Sequence, residues 1–258
     1  MTTRLGKNIG NYMGETIDIL RILQDIKQRC RAGGWEEIPL RVSEHTVLPA
    51  YCRLARHPGK TIYISSGMHG DEPGGPLAVG RLFEENTWPP DLNLWIIPCL
   101  NPGGFILNRR ENEEGIDLNR DYREPKTALV RAHVQWLKER PSFDLSLCLH
   151  EDWEANGFYL YELNPDDRPS VAARIIGKVQ EVCPIDLSPV IEEREAHQGI
   201  IRANPDLLSR PDWPEAFYLI HHKTRLSYTL EGPSDFQLAT RVNGLVAGVK
   251  AACEALSA

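Results

Sequence analysis

Three apolar runs, separated by helical patterns, determine the fold class. The runs are "TIYISS" (61–66), "LNLWIIPCL" (92–100) and "FDLSLCL" (143–149), and each has the length and composition of a strand buried on both faces. Helical patterns lie between them, near 74–87 and 126–140. Strands that alternate with helices predict an α/β fold. We expect a three-layer sandwich, with a mostly parallel mixed central sheet flanked by helices.

An amphipathic helix is predicted ahead of the first strand. In "ETIDILRILQDIKQRCR" the apolar residues recur at helical spacing, and one broad face carries Ile17, Leu20, Ile22, Leu23 and Ile26. No repeat, low-complexity tract or linker divides the sequence. We therefore predict a single domain over 1–258, in which residues 1–34 form an N-terminal helical extension.

Shorter patterns extend the predicted sheet. "IPLRV" and "TVLPAYCRLA" alternate in polarity and favour antiparallel strands at a sheet edge. After the third central run we predict a strand in "FYLYEL", a helix in "SVAARIIGKVQEV", two strands separated by a tight turn in "EAFYLIHHK" and "LSYTLEG", and a closing helix in "FQLATRVNGLVAGVKAACEAL". The long irregular segment 187–214 is either a flexible lid or part of the rim of a site.

Composition excludes several classes of protein. The net charge is -7 and no block of Lys and Arg is present to neutralise phosphates, so we expect no nucleic-acid partner. No apolar stretch reaches the length of a signal-peptide core or a membrane span, so we expect a cytoplasmic protein with no membrane partner. The six cysteines are scattered without a Cys-x-x-Cys pair, which favours buried free thiols. The oligomeric state is left open.

Polar residues follow four of the predicted strands, in "GMHGDE", "NPGG", "HED" and "EGPS". Ligands bind at the carboxyl ends of the strands in an open parallel sheet, so these residues are candidates for one site. His69 and Glu72, three residues apart on a turn, can face one cation, and His150 can complete the set. Three protein ligands and one open position are typical of a catalytic zinc site. A lone His-x-x-Glu is more often a solvated turn.

The motifs taken in order carry more weight than any one of them. "HGDE", "NPGG", "NRRENEEGIDLNRDY", "LCLHED" and "YTLEGPS" resemble the zinc carboxypeptidase superfamily, the metallopeptidases with an His-x-x-Glu…His site. The resemblance runs from about residue 60 to 235, and "GIDLNRDY" is its most specific part. The compact chain and the short gap between "NPGG" and "DLNR" resemble the small bacterial members, which include murein-peptide amidases and the succinylglutamate desuccinylase and aspartoacylase branch.

The resemblance implies a metal centre and a base. His69, Glu72 and His150 match the ligands of one Zn²⁺ per chain. Two imidazoles and one carboxylate also suit zinc on chemical grounds. Glu231 in "YTLEGPS" matches the general base, which takes a proton from water and passes it to the leaving nitrogen. We expect apolar neighbours, including Tyr228, to raise the pKa of its carboxyl.

The resemblance also implies residues that bind the substrate. Arg110, five residues before Gly115, matches the arginine that stabilises the oxyanion; the adjacent Arg109 is the alternative. Asn119 and Arg120 match the pair that holds the terminal carboxylate of the substrate. Asp117 is interpreted as structural, either orienting a metal histidine or capping a turn.

Other polar residues have weaker interpretations. Asp71, Glu151 and Asp152 are either partners of the metal histidines or solvated turn acids. "NPGG" is interpreted as a tight turn that brings backbone close to the site. His221 and His222, in a predicted strand, would point to opposite faces and could not form a metal pair. His45, His57, His133 and His197 are not assigned.

Three functions remain open. The first is a zinc-dependent hydrolase, a metallocarboxypeptidase or amidase, that cleaves an amide bond next to a free carboxylate in a small peptide. The second is a deacylase of N-acyl amino acids, and the third is an inactive module that binds zinc and a carboxylate. Two departures from the family stand out: the stretch 202–216 has no tyrosine of the kind that closes over substrate in the larger enzymes, and "NPGG" replaces Asn-Pro-Asp-Gly.

Overall fold

A mixed eight-stranded sheet forms the centre of the computed structural model, which describes residues 3–8, 14–57, 59–202 and 209–257. The sheet strands are β1 (Glu36–Glu37), β4 (Tyr51–Arg53), β5 (Thr61–Ser66), β6 (Asn93–Ile97), β7 (Leu145–Asp152), β8 (Tyr159–Leu163), β11 (Ile200–Arg202) and β12 (Ser227–Pro233). Two small hairpins pair β2 (Leu40–Arg41) with β3 (Val47–Leu48) and β9 (Val190–Ile191) with β10 (Arg194–Glu195). The helices are α1 (Ile19–Ala32), α2 (Gly74–Glu85), α3 (Pro102–Leu107), α4 (Ala128–Lys138), α5 (Ala172–Val179), α6 (Glu215–His222) and α7 (Leu238–Ser257).

The strand order is β1-β4-β6-β5-β7-β12-β8-β11. The central strands β6, β5, β7 and β12 are parallel to one another, whereas β4 and β8 run antiparallel to their central neighbours. One face of the sheet packs against α1, α2, α5 and α7, and the other packs against α4 and α6. The predicted fold class, a three-layer sandwich with a mostly parallel mixed sheet, is therefore confirmed.

The three apolar runs form the strands that they predict, and side chains alternate between the two cores. In β5, Ile62 and Ile64 lie in the core with α2, while Tyr63 lies in the core with α4 and α6. Because β5, β7 and β12 are parallel and adjacent, their carboxyl ends meet at one edge of the sheet. That edge carries the polar motifs.

The N-terminal helix is present, but its buried face differs from the predicted one. Ile26 is fully buried in the core and lies near Gly80 of α2. Leu20, which the sequence places on the buried face, is 60% exposed, and Ile19 is buried instead. The extension predicted over 1–34 includes residues 1–2 and 9–13, which lie outside the described residues.

Two predictions of local structure are wrong. "EAFYLIHHK" forms the helix α6, with Pro214 as its N-cap, and not a strand. The helix is almost wholly buried, so its sequence shows no amphipathic period that would predict a helix. "NPGG" begins the short helix α3 and is not a tight turn: the side chain of Asn101 accepts a hydrogen bond from Gly104 N at 3.0 Å, and Pro102 follows it. The predicted close approach does occur, because a Cβ on Gly70 would lie 1.9 Å from the Gly104 carbonyl carbon.

The segment 187–214 contains more structure than the sequence suggests. It forms the β9–β10 hairpin and strand β11, which lies parallel to β8 at the sheet edge, while residues 203–208 are outside the described part of the chain. All six cysteines are buried and free, as predicted. Within the described residues, no helix combines the length and the apolar character that a membrane span requires.

Candidate active site

The two predicted metal-binding motifs meet at the carboxyl ends of β5 and β7. His69 and Glu72 lie on the turn between β5 and α2, and His150 lies near the end of β7. His69 Nδ1 is 2.5 Å from Glu72 Oε1, and His150 Nδ1 is 2.9 Å from Glu72 Oε2. One candidate donor atom from each residue lies within 4.8 Å of the others, and this is the one such group found in the part of the chain that the structure describes.

The donor set fits zinc. Two imidazole nitrogens and a carboxylate are borderline-soft ligands in the number that a catalytic zinc ion takes from the protein. The far nitrogen of the His69 ring, Nε2, is 3.2 Å from Asp117 Oδ1. A carboxylate in that position holds the proton on Nε2 and leaves Nδ1 free to bind a metal. This contact is the one expected of a residue that orients a metal histidine.

Glu72 is held as an anion between the two histidines. Its Oε2 also accepts a hydrogen bond from the backbone N–H of Glu151 at 3.1 Å, and Arg110 Nη1 lies 3.6 Å from its Oε1. Burial by itself would raise the pKa of Glu72. The imidazoles of His69 and His150 outweigh burial and hold that pKa far below its ordinary value.

Glu231 faces the same cavity from the adjacent strand. In the parallel pairing of β12 with β7 it lies beside His150, and in the antiparallel pairing with β8 it lies beside Tyr159. Burial, and then repulsion from Glu72 and Asp152, raises the pKa of its carboxyl to about 8. Tyr228, which the sequence suggested as an apolar neighbour, lies in the core on the opposite face of β12, because adjacent positions of a strand alternate.

The structure separates the two adjacent arginines. Arg110 lines the cavity and donates from Nε to Asp117 Oδ2 at 3.0 Å. Arg109 donates to the backbone carbonyl of Asn112. Arg110 is therefore the guanidinium that reaches the candidate metal centre. Its pKa is raised because Glu72 and Asp117 outweigh the opposing effect of burial.

Asn119 and Arg120 lie on a 3₁₀ turn, Leu118–Arg120, at the wall of the cavity. The side chain of Asp117 caps this turn by accepting from Asn119 N at 2.9 Å. Asn119 Oδ1 accepts from the backbone N–H of Glu215 at 2.9 Å, which connects the turn to the start of α6. Arg120 Nη1 donates to the carbonyl of Asn119 at 2.8 Å.

The cavity itself has a volume of about 670 Å³. In strand register, Cys148 and Thr229 lie one pleat below His150 and Glu231, and all four side chains line the cavity. Leu163, Ala216 and Phe217 add apolar wall, while the mouth carries acidic residues that include Asp152, Glu154, Glu192 and Glu193. The segment 187–214 is thus part of the rim through its β9–β10 turn.

Sequence reasoning missed several of these lining residues. The period of two along a strand would have identified Thr229 and Cys148, which lie two positions before Glu231 and His150. The α6 residues Ala216 and Phe217 carry no such signal, because the apolar run of that segment predicts a strand.

The remaining polar candidates have different environments. Glu151 is fully buried against Arg241 at 3.0 Å, so it is not a solvated turn acid. Asp152 lines the cavity and accepts a hydrogen bond from Tyr159 OH at 3.1 Å. Asp71 also lines the cavity, and burial raises the pKa of its carboxyl. His221 and His222 are exposed on α6. They are therefore neighbours on a helix, and the prediction that they face opposite sides of a strand is wrong.

Sequence comparisons give limited matches. A family described as "Protein of unknown function (DUF2817)" matches residues 49–142. Carboxypeptidase SOL1 of Arabidopsis thaliana is 29% identical over 153 residues, which cover 45% of this chain and 30% of that protein. The chain therefore matches less than a third of the length of this relative.

Solved structures match over nearly the whole chain. Two inferred metallopeptidases, from Shewanella amazonensis and Shewanella denitrificans, have TM-scores of 0.80 and 0.78 at 22% and 21% identity. Each alignment covers 93% of this chain, and 93% and 91% of the respective neighbour. A metallo-carboxypeptidase from Pseudomonas aeruginosa, in complex with (2-guanidinoethylmercapto)succinic acid, has a TM-score of 0.66 at 16% identity, with 95% of this chain and 71% of that chain covered. These structural matches confirm the predicted fold.

Proposed function

We propose that this chain is a zinc-dependent hydrolase of the metallocarboxypeptidase or amidase type, which cleaves an amide bond next to a free carboxylate in a small peptide. One observation carries the proposal. A His-Glu-His ligand set and a further, half-buried carboxylate, Glu231, line one cavity, and Glu231 lies beside His150 on the adjacent strand. A site that only bound a metal would have no use for that second carboxylate.

His69, Glu72 and His150 would hold the metal. A zinc ion bound there supplies a Lewis acid that polarises the scissile carbonyl and lowers the pKa of a water molecule. Asp117 keeps the His69 ring in its ligating tautomer, and the Glu151 backbone N–H keeps the Glu72 carboxylate in place. The chain thus fixes two of the three proposed ligands, His69 and Glu72, through a second contact.

Glu231 would act as the general base. Burial raises the pKa of its carboxyl and so makes the carboxylate a stronger base than an ordinary glutamate, which suits it to accept a proton from the attacking water and then donate it to the leaving nitrogen. Its register position beside His150 supports this role, because a base there would lie next to a metal that His150 holds.

Three donors are available for the substrate. Arg110 lies next to the metal ligands, where its guanidinium can hydrogen-bond the oxyanion as charge develops. Asn119 and Arg120 lie further along the same wall, where an amide and a planar guanidinium suit a carboxylate. This set of donors in one cavity fits a substrate that carries a free carboxylate near the scissile amide.

Metal content combined with activity tests the proposal. Wild type, Glu231→Gln and the control Glu162→Gln are purified, and bound zinc is quantified. All three are assayed on peptides with free C termini, muropeptides and N-acyl amino acids. Glu162 is a matched control because it is a buried glutamate that accepts from Tyr228 OH and does not line the cavity.

We expect about one zinc per chain in all three proteins. Activity should fall by roughly 10²- to 10⁴-fold in Glu231→Gln alone, because the general base is lost. Wild type without zinc would contradict the ligand assignment, and zinc without turnover of any compound would contradict the hydrolase. A preference for N-acyl amino acids over peptides would select the deacylase.

A further inference from the structure

We propose that Glu215 is a positioning residue, which fixes the side-chain amide of Asn119 so that its NH₂ group faces the cavity and binds a carboxylate of the ligand. The proposal rests on the proposed function only in taking the ligand to carry a free carboxylate. It concerns a residue that does not line the cavity.

The contact between the two residues determines which end of the amide is available. Glu215 N donates to Asn119 Oδ1 at 2.9 Å. The side-chain amide has one acceptor end and one donor end, and the reversed orientation would place two N–H donors against each other. With the oxygen occupied by α6, the NH₂ end is left for the cavity that Asn119 lines.

The side chain of Glu215 explains why its backbone N–H is in that place. The residue is 1% exposed, and its carboxylate accepts from Tyr63 OH and from Ser65 OH, each at 2.8 Å. Both hydroxyls belong to β5, the strand that leads to His69. The first residue of α6 is therefore tied to β5 through its side chain, and this fixes the position of its backbone N–H.

A second layer of hydrogen bonds fixes the first. Tyr63 OH also contacts His133 Nε2 at 2.9 Å, and Tyr122 OH contacts His133 Nδ1 at 2.7 Å. Burial keeps His133 neutral, so the ring has one donor and one acceptor. Because Tyr63 gives its proton to Glu215, it must accept from His133 Nε2–H, and Tyr122 must donate to Nδ1. The bonds therefore point in one direction and end on Glu215.

Burial of the Glu215 carboxylate lowers the stability of the core. Burial raises the pKa of its carboxyl, and among the contacts of the described residues no Lys or Arg forms an ion pair with it. A buried carboxylate without a cationic partner is unfavourable compared with an amide or apolar side chain of the same size. A role beyond stability accounts for the choice. Because the carboxylate can only accept, it keeps both β5 hydroxyls donating and holds the α6 N–H in place.

A double-mutant cycle separates positioning from general stability. The probe is 3-phenylpropanoate, titrated calorimetrically into the zinc-loaded protein. The proteins are wild type, Asn119→Ala, Glu215→Gln, the double variant, and Glu162→Gln as the matched buried control. Ser65→Ala is a milder variant, since it removes one donor to the carboxylate and keeps the charge. Zinc is quantified in every sample.

We expect Glu215→Gln to weaken binding by about tenfold, the typical effect of losing one charge-assisted hydrogen bond. Ser65→Ala should weaken it less, and Glu162→Gln should not change it. In the Asn119→Ala background, Glu215→Gln should have no further effect, because both substitutions remove the same interaction. Zinc content should stay constant throughout.

Several outcomes would overturn the proposal. The first is that Glu215→Gln binds the probe as tightly as wild type does. The second is that the losses of affinity in the two single variants multiply in the double variant, and the third is that wild type does not bind the probe. If Glu215→Gln does not fold, Ser65→Ala with Asn119→Ala gives the same cycle. Binding is measured independently of hydrolysis, so a wild type that binds the probe but cleaves nothing would contradict the proposed function and leave this inference standing.

Discussion

The two oxygens of the Asp117 carboxylate bind different partners, and these contacts determine what the residue can do. Oδ1 lies 3.2 Å from His69 Nε2 and accepts from Asn119 N, while Oδ2 accepts from Arg110 Nε at 3.0 Å. The same group therefore orients His69, caps the turn Leu118–Arg120 and holds Arg110. Arg110 and His69 outweigh the effect of burial and keep the pKa of Asp117 far below its ordinary value.

Asp117→Asn should weaken zinc binding by about 10- to 100-fold, the usual effect of losing a carboxylate behind a metal histidine. The asparagine keeps the size of the side chain, but one end becomes a donor and cannot serve both His69 and Arg110. Zinc affinity is measured by competition with a chelator. Asp152→Asn is the control, because Asp152 lines the same cavity but contacts Tyr159. Equal losses in both variants would mean that only the total charge matters.

Arg110→Lys should lower kcat/KM by about 10²- to 10³-fold, as expected when one oxyanion donor is lost. The adjacent Arg109→Lys should change it little, since Arg109 is directed to the Asn112 carbonyl. Steady-state kinetics on the best substrate, with zinc content checked, gives the comparison. The reverse order of effects would assign the role to Arg109.

For single residues, the sequence predicted which residues lie at the candidate site better than it predicted where their side chains point. The spacing of His69, Glu72 and His150 identified a candidate set that the fold does bring together. It could not distinguish Arg109 from Arg110, because a loop without a period gives no rule for where a side chain points. Glu215 gave no signal at all, since its partners on β5 are distant in sequence.

Among the elements, long periodic segments were predictable and short or wholly buried ones were not. The strands β5, β6 and β7 and the helices α2, α4, α5 and α7 all lie where the pattern placed them. The prediction of a strand at α6 was wrong because an eight-residue helix that is buried on nearly every side has the same apolar run as a strand. The strands β9 and β10 pair with each other but are too short to show a pattern, and β11 depends on pairing with β8, which is distant in sequence.

The docking of α1 on α2 can be tested by one buried and one exposed residue of the same helix. Ile26 is fully buried, so Ile26→Ala should lower the free energy of unfolding by about 2–5 kcal/mol through lost contacts and a residual cavity. Leu20 is 60% exposed, and Leu20→Ala should change it by less than about 0.5 kcal/mol. Denaturant unfolding measures both. Similar small values would mean that α1 contributes little to the core.

Across the whole molecule, the polar layer between the sheet and the helices α4 and α6 should make stability depend on pH. His133 is fully buried there, with Tyr63 and Tyr122 on its two nitrogens and Glu215 Oε1 at 3.9 Å. Burial lowers its pKa to about 3, whereas an unfolded histidine titrates near about 6.5. Between these values the unfolded chain binds a proton that the folded chain does not. The free energy of unfolding therefore falls as the pH falls through this range.

His133→Gln isolates this effect. At pH 7 the variant should be less stable than wild type, because it cannot satisfy both tyrosine hydroxyls as the ring does. At pH 5 the wild type also loses the free energy of protonating unfolded His133, about 2 kcal/mol, and the variant does not. The difference in unfolding free energy between the two proteins should therefore shrink by about that amount from pH 7 to pH 5. Other titrating groups and any bound metal affect both proteins alike and cancel in the difference. A difference that is equal at both pH values would mean that His133 binds its proton as readily in the folded as in the unfolded protein, and the one-way hydrogen-bond chain to Glu215 would then be incorrect.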